Sequence, residues 1–311
     1  MPPVPIHRGE KPGNAGIPHM TVAATETLDD AATFERESER VAREVGIPPC
    51  PAVLASFSAE IRSADPDLRK LSALIGTDVG LSAALLKTVN SSFYGLESKA
   101  ANVKQAMSIL GLRASANLVT GLLLKQAFPS GSNQQMKRFW DASSSLAAAA
   151  AGIAARLKGI NPDEAHTYAL FRDCGMALMI RRFPIYSGVI AANTGNPGKE
   201  LILMENSRFR YNHARVGYSL GCDWLLPDSM CKAILWHHQP EMIAASFRDL
   251  EPANPKLVAF GLLAEQIIAL RSGRGLCPDW KESEEFVLDT LEISPEDAVA
   301  LAEDVAPASF W

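Results

Sequence analysis

The stretch LFRDCGMAL, residues 170–178, sets an arginine and an aspartate side by side inside an apolar run. Were residue 172 a histidine, the pair would offer a neutral imidazole nitrogen and an anionic oxygen, the donors a divalent metal uses when it activates water. Arg172 changes that chemistry. A guanidinium stays protonated and has no lone pair to give. Two unit charges a few Å apart in a partly buried site interact by on the order of 4 kcal/mol, so Arg172 should repel an ion from this place. The pair therefore reads as disabled for metal catalysis. Two roles stay open for it: phosphate or anion recognition by the guanidinium, or an ion pair that holds two helices in register.

The other reactive side chains are judged by spacing. His166 precedes Asp173 by seven residues, the same helical face but roughly 10 Å of rise away, too far to share one ion. His237 and His238 are adjacent, which on a helix turns them about 100° apart, so a common target is not expected. Their place in a last helical turn suits capping against the negative dipole end. His213 follows Asn212, a natural N-cap, and a hydrogen-bonded structural role is its plain reading. Cys174 has no base near it in sequence and reads as an inert buried thiol. The five cysteines, Cys50, Cys174, Cys222, Cys231 and Cys277, form no C-x-x-C pair and are expected to be reduced, as in the cytoplasm. No nucleophile elbow, P-loop or glycine-rich dinucleotide turn is present.

The elements that must position these groups are helical throughout. Residues 1–40 are rich in Pro, Gly, Thr and charge and read as a flexible tail. SADPDLRKLSALIGTD places Asp65 as an N-cap, Pro66 at the first helical position and Leu68, Leu71, Leu74 and Ile75 on one stripe. Asp78 caps the next helix, and Gly111 separates VKQAMSILG from LRASANLVTGLLLKQAF. PSGSNQQ, residues 129–135, links two helical layers. Beyond it lie a long Ala-rich helix, a helix capped by Asn161 and Pro162, one closed by Pro227 and one closed by Pro240. Two further helices are expected over 257–270 and 296–306. No segment alternates with period 2, so the fold class is all-α.

Composition limits the partners. The chain has 311 residues with 47% hydrophobic content and a net charge of -5. There is no Lys and Arg excess to release counterions from nucleic acid. The N-terminus lacks the apolar core of a signal peptide, and the run from Ser145 is too short and Ala-rich to span a bilayer.

Five segments occur in order: IPPCPAVLASF, LSALIGTDVGLSAALLKTVNSSFYG, VKQAMSILGLRASANLV, ALFRDCGMAL and NHARVGYSLGCDWLLPDSMCKAILWHHQP. Together, over about 45–240, they resemble the HDOD family, relatives of the metal-dependent HD phosphohydrolases. The resemblance implies a multi-helix HDOD domain over 45–245, with an N-terminal helical layer at 45–128, an HD-like core at 136–245, and helices at 253–306 completing the bundle. HD enzymes use a His on an early helix, the His-Asp pair and a distal Asp. At the matching positions this chain has Asp141, Arg172 with Asp173, and Glu265, while His213, His237 and His238 match histidines that recur in HDOD proteins. These seven residues form the expected vestigial pocket. Asn90, Phe93, Tyr94 and Gly95 of NSSFYG form a structural motif, with Gly95 as a left-handed C-cap.

The resemblance further implies a non-catalytic signalling module, with no catalytic residue, metal or cofactor, that meets other signalling proteins in trans. A small anionic or nucleotide ligand in the vestigial pocket is compatible with it. The alternative is a metal-dependent phosphohydrolase or phosphodiesterase with a rearranged site, built from Asp173, Glu265, His213 and one of the two adjacent histidines.

Overall fold

Side-chain caps set several helix starts. The Asp78 carboxylate accepts from the Leu81 N–H, Asn102 from Gln105, Asn133 from Gln135 and Met136, Asn161 from Asp163, and Asn212 from Arg215. Each satisfies a donor that the first turn leaves orphaned. The structure is a computed structural model and describes residues 31–304 apart from 92, 93, 97, 158, 197 and 245–252. Among the described residues every regular element is a helix.

The N-terminal layer comprises α1 (Ala31–Val45), α2 (Ala52–Ile61), α3 (Leu68–Gly76), α4 (Val79–Val89) and α5 (Val103–Ala127). Gly111, at φ +78°, breaks α5 into two helical arms, as its position between two apolar periods predicts. The central part comprises α6 (Gln134–Ala154), α7 (Pro162–Phe171), α8 (Cys174–Arg182), α9 (Tyr186–Ala192), α10 (Gly198–Phe209), α11 (His213–Asp223) and α12 (Asp228–Trp236). A short α13 (Glu241–Ala244) precedes α14 (Pro255–Arg271), α15 (Pro278–Leu291) and α16 (Pro295–Asp304).

One apolar cluster runs through all of these layers, from Val41 to Ala302. The alanines from Ala147 to Ala151 are buried, and their small side chains let α6 lie close against α7 and α14. Helix α11 is wedged between α1, α8 and α12. Two indole N–H groups tie the layers: Trp140 donates to the Phe128 carbonyl at 2.8 Å and Trp224 to the Pro48 carbonyl at 3.1 Å. Helix α5 is long and apolar enough to cross a membrane, but 61% of its apolar window is buried inside the protein.

Three expectations need correction. The tail does not extend to residue 40, because α1 occupies 31–45 and buries Val41 and Val45, one turn apart, against the bundle. The expectation for residues 1–30 lies outside the described residues. Asp67, not Asp65, caps α3: its carboxylate accepts from the Arg69 N–H at 2.9 Å while its own N–H donates to Glu60 at 2.7 Å. Pro66 therefore lies in the approach to the helix. Helix α15 is an addition, started by Pro278 at its first position.

Candidate functional site

Arg172 and Asp173 sit at a junction between helices. Arg172 is the C-cap of α7, and Asp173 occupies the N-cap position of α8 without bonding to an N–H of that helix. Its carboxylate is thus left for other partners. Two close backbone approaches bring those partners in. A Cβ on Gly175 would fall 2.0 Å from the His213 carbonyl oxygen, so only glycine lets the start of α11 press against the first turn of α8. A Cβ on Gly198 would fall 1.9 Å from the His238 ring, so the start of α10 likewise lies directly on that imidazole.

The two oxygens of Asp173 face different groups. Oδ2 accepts from Arg172 Nε at 3.1 Å, and Arg172 Nη1 continues to Glu265 Oε2 at 3.1 Å. Oδ1 faces the histidines, 3.2 Å from His237 Nε2 and 3.6 Å from His213 Nε2, and accepts no well-formed hydrogen bond. His213 Nε2 lies 3.4 Å from His237 Nε2 and 3.1 Å from His238 Nε2. One ligand atom from each of Asp173, His213, His237 and His238 falls within 4.8 Å of all the others.

The outer nitrogens of His213 and His237 are held by acceptors, and that of His238 faces a carboxylate without a well-formed hydrogen bond. His213 Nδ1 lies 2.8 Å from Glu205 Oε2, and Glu205 also accepts from the His213 backbone N–H at 2.9 Å and from the Tyr186 hydroxyl. His237 Nδ1 lies 2.7 Å from the Ile234 carbonyl, and His238 Nδ1 3.2 Å from Asp279 Oδ2. Asp279 in turn accepts from the Gly198 N–H at 2.7 Å.

Burial opposes ionisation of Asp173, but Arg172, His237 and His213 outweigh it and hold the carboxyl well below its ordinary range. Burial also opposes charge on Arg172, and Asp173 and Glu265 reverse that, so the guanidinium is more firmly protonated than usual. Burial, with His238 alongside, pushes His237 down to about 3. For His213, burial works against the charged form and Glu205 wins, lifting the imidazole above its ordinary value. Burial pushes the Cys174 thiol up, which suits an inert role.

Of the seven expected pocket residues, the fold gathers Arg172, Asp173, His213, His237 and His238. Glu265 joins through Arg172 alone, with its side chain 36% exposed. Asp141 lines a cavity of about 510 Å³ together with Arg172, Asp173 and Glu265, and Phe139, Met176 and Ile180 contribute to its apolar wall. The expectation that His237 and His238 diverge fails even though His237, just past the end of α12, keeps helical angles (φ -64°, ψ -21°). The two rings lie 4.0 Å apart between centroids, and both reach His213, which sits where the two side chains can meet it. Capping and convergence then coexist in His237: one ring nitrogen closes the helix and the other faces Asp173. Glu205 and Asp279 were not foreseen. Glu205 is a fully buried acid within α10, and Asp279 belongs to the unforeseen α15; the one sequence signal was Pro278 as a helix start.

In NSSFYG, Asn90 Nδ2 donates to the Ala100 carbonyl at 3.0 Å and its Oδ1 accepts from the Ala100 N–H at 2.7 Å. The Tyr94 hydroxyl donates to Asp163 at 3.3 Å, and Gly95 takes φ +56°. Phe93 lies outside the described residues.

This donor set fits a divalent ion of borderline softness: three imidazole nitrogens, one carboxylate oxygen, and an acceptor behind each ring. It also differs from the HD pattern, since Arg172 removes the pair's own histidine.

An all-helical fold with an aspartate and an arginine at the HD-type junction defines an HD-like helical protein. The HDOD domain family model matches residues 47–240, and the chain belongs to the HDOD family. An uncharacterized protein of Treponema pallidum (strain Nichols) is 27% identical over 197 residues, 62% of this chain, so the chain spans little more than a third (37%) of that relative's length. A crystal structure from Shewanella amazonensis SB2B, provisionally named a phosphohydrolase, is similar with a TM-score of 0.64 at 21% identity, over 87% of this chain and 94% of that one. A second, from Marinobacter aquaeolei VT8 and provisionally named a signal transduction protein, has a TM-score of 0.64 at 18% identity, over 90% of this chain and 64% of that one. At such identities the likeness concerns the fold.

Proposed function

We propose that the chain is a signal-transduction module that acts through protein contacts without turnover, meeting other signalling proteins in trans in the cytoplasm, with neither nucleic acid nor membrane as partner. The observation that carries this reading is the seat of Arg172. Its side chain is 5% exposed and spans two carboxylates, one of them the remaining acid of the HD-type pair. Releasing it would leave a buried charge uncompensated, at a cost of about 3–5 kcal/mol. The HD positions represented by Arg172, Asp173 and Glu265 are thus locked to one another, and among the described residues no histidine lines the cavity with Asp141. The signalling name of the Marinobacter fold neighbour agrees with the reading.

A small ligand in the 510 Å³ cavity belongs to the same proposal. Its charge is not that of an anion receptor: Asp141, Asp173 and Glu265 face Arg138 and Arg172, and Arg172 is already paired. An anionic ligand would have to displace a carboxylate from Arg172. Equal nucleotide affinity in the parent and Arg172→Ala would remove the ligand from the proposal.

The second reading is a metal-dependent phosphohydrolase. The convergence of three imidazoles on Asp173 favours it, as does the name of the Shewanella neighbour. Turnover of bis(4-nitrophenyl) phosphate with manganese, iron(II) or zinc separates the two. The contact reading expects rates equal to the metal blank in the parent and in Asp173→Ala. Turnover that Asp173→Ala abolishes would establish the hydrolase.

A further inference from the structure

Helices α11 and α12 are joined by residues 224–227 and press together along Gly217 and Gly221, one turn apart on α11. A Cβ on Gly217 would fall 3.0 Å from Ile234 Cγ2, and one on Gly221 would fall 3.1 Å from Cys231 Sγ. The end of α11 therefore lies directly on the Cys231 thiol, and the residue after Gly221 is Cys222. The Cys231 thiol and the Tyr218 hydroxyl, one turn before Cys222, both hydrogen bond to the Cys222 sulfur. Cys222 is partly exposed, while Cys231 is 1% exposed. A reachable sulfur is thus backed by a sheltered one.

The two thiols are unequal. Hydrogen bonds from Cys231 and Tyr218 stabilise a Cys222 thiolate and outweigh burial and the Asp228 and Asp223 carboxylates, so this thiol titrates below its ordinary value. Bonding to Cys222, together with burial, holds Cys231 well above that value. Burial also raises the thiols of Cys50, Cys174 and Cys277. Of the five cysteines, Cys222 alone is shifted toward the thiolate, the form that reacts with oxidants and disulfides. A thiolate with a protonated thiol against it is the arrangement of an oxidisable cysteine beside a resolving one.

We propose that Cys222 and Cys231 are a peroxide-oxidised pair that closes to a reversible disulfide between α11 and α12. The Cys222 thiolate attacks one oxygen of hydrogen peroxide, the O–O bond breaks, and the departing hydroxide takes up a proton as water. Cys222 is then a sulfenic acid. The Cys231 sulfur attacks the Cys222 sulfur, the S–O bond breaks, and the Cys231 proton leaves with the hydroxyl as a second water. Two electrons pass from the thiols to the peroxide. A thiol reductant returns both cysteines by exchange. The bond staples the turn of a helical hairpin whose other end carries His213, at the start of α11, and His237, just past α12. In a reducing compartment such a bond is transient and reports oxidant. The proposal stands whether or not the contact reading does.

The test treats the reduced full chain with graded hydrogen peroxide, counts free thiols with a chromogenic disulfide, and maps bridged peptides by mass spectrometry after alkylation. The expected result is the loss of two of the five thiols, a peptide pair joined through Cys222 and Cys231, and full recovery with dithiothreitol. Cys231→Ser should leave a sulfenic acid on Cys222 that dimedone traps. Cys222→Ser should leave Cys231 unoxidised at the same peroxide dose. Tyr218→Phe should slow the thiol loss, because it removes one donor to the thiolate. Circular dichroism of each variant confirms the fold. Five thiols that survive a dose that oxidises free glutathione would overturn the pair. So would a bridge mapped to other cysteines or between two chains, or parental thiol loss in Cys222→Ser.

Discussion

Arg172 and Asp173 meet through a single oxygen: Nε lies 3.1 Å from Oδ2, and Oδ1 is turned to His237. One carboxylate thus divides the junction into a side locked by an arginine and a side lined by imidazoles. The locked side carries Arg172 and Glu265, and the imidazole side carries His213, His237 and His238.

Replacing the guanidinium by an apolar chain of similar volume isolates its charge. Arg172→Met leaves Asp173, 17% exposed, without its cation and should lower stability by about 3 kcal/mol. Urea unfolding measures this, and a loss under about 1 kcal/mol would mean that the pair contributes little.

Glu205 is fully buried and accepts from the His213 backbone N–H, the His213 ring and the Tyr186 hydroxyl. In Glu205→Gln an amide NH₂ would face those donors, so a drop of about 2–3 kcal/mol is expected. Chemical denaturation of the metal-free chain gives the value directly.

His166 supplies a pH dependence away from the site. Burial, with Lys125 nearby, holds its pKa down to about 4, against 6.5 for the ordinary side chain. Between these values the unfolded chain binds a proton that the folded chain refuses. Its contribution is therefore intact above pH 6.5 and is lost as pH falls toward 4, by at most about 1.4 kcal/mol per unit. The stability difference between the parent and His166→Gln, followed from about pH 7 to about pH 4.5, should shrink along that slope; a flat difference would contradict it.

Asn90 closes the segment between α4 and α5 with its two bonds to Ala100. Asn90→Ala leaves that backbone amide and carbonyl without their partner and should cost about 1–3 kcal/mol. Amide exchange at Ala100 should accelerate in step with the loss.

Much of the fold is legible in local signals. Asp78, Asn161 and Asn212 cap helices as their types and neighbours predict, and Gly111 breaks α5 where the apolar period is interrupted. Helix α1 was obscured because Val41 and Val45, its buried apolar positions among the described residues, stand amid a highly charged stretch. The cluster was hidden for a different reason. Spacing gives the rotation between His237 and His238 but not the place of a third ring on another helix, and His213 lies within reach of both. Glu205 and Asp279, which reach His213 and His238 from α10 and α15, share no spacing with them, so their convergence exists only in the fold.

The division of the junction by Asp173 is tested most directly by a crystal structure of zinc-soaked protein with anomalous data at the zinc edge. The account predicts Arg172 still bonded to Asp173 and Glu265 after the soak. A peak lying between Asp173 and Glu265, with the guanidinium swung out of its seat, would contradict it.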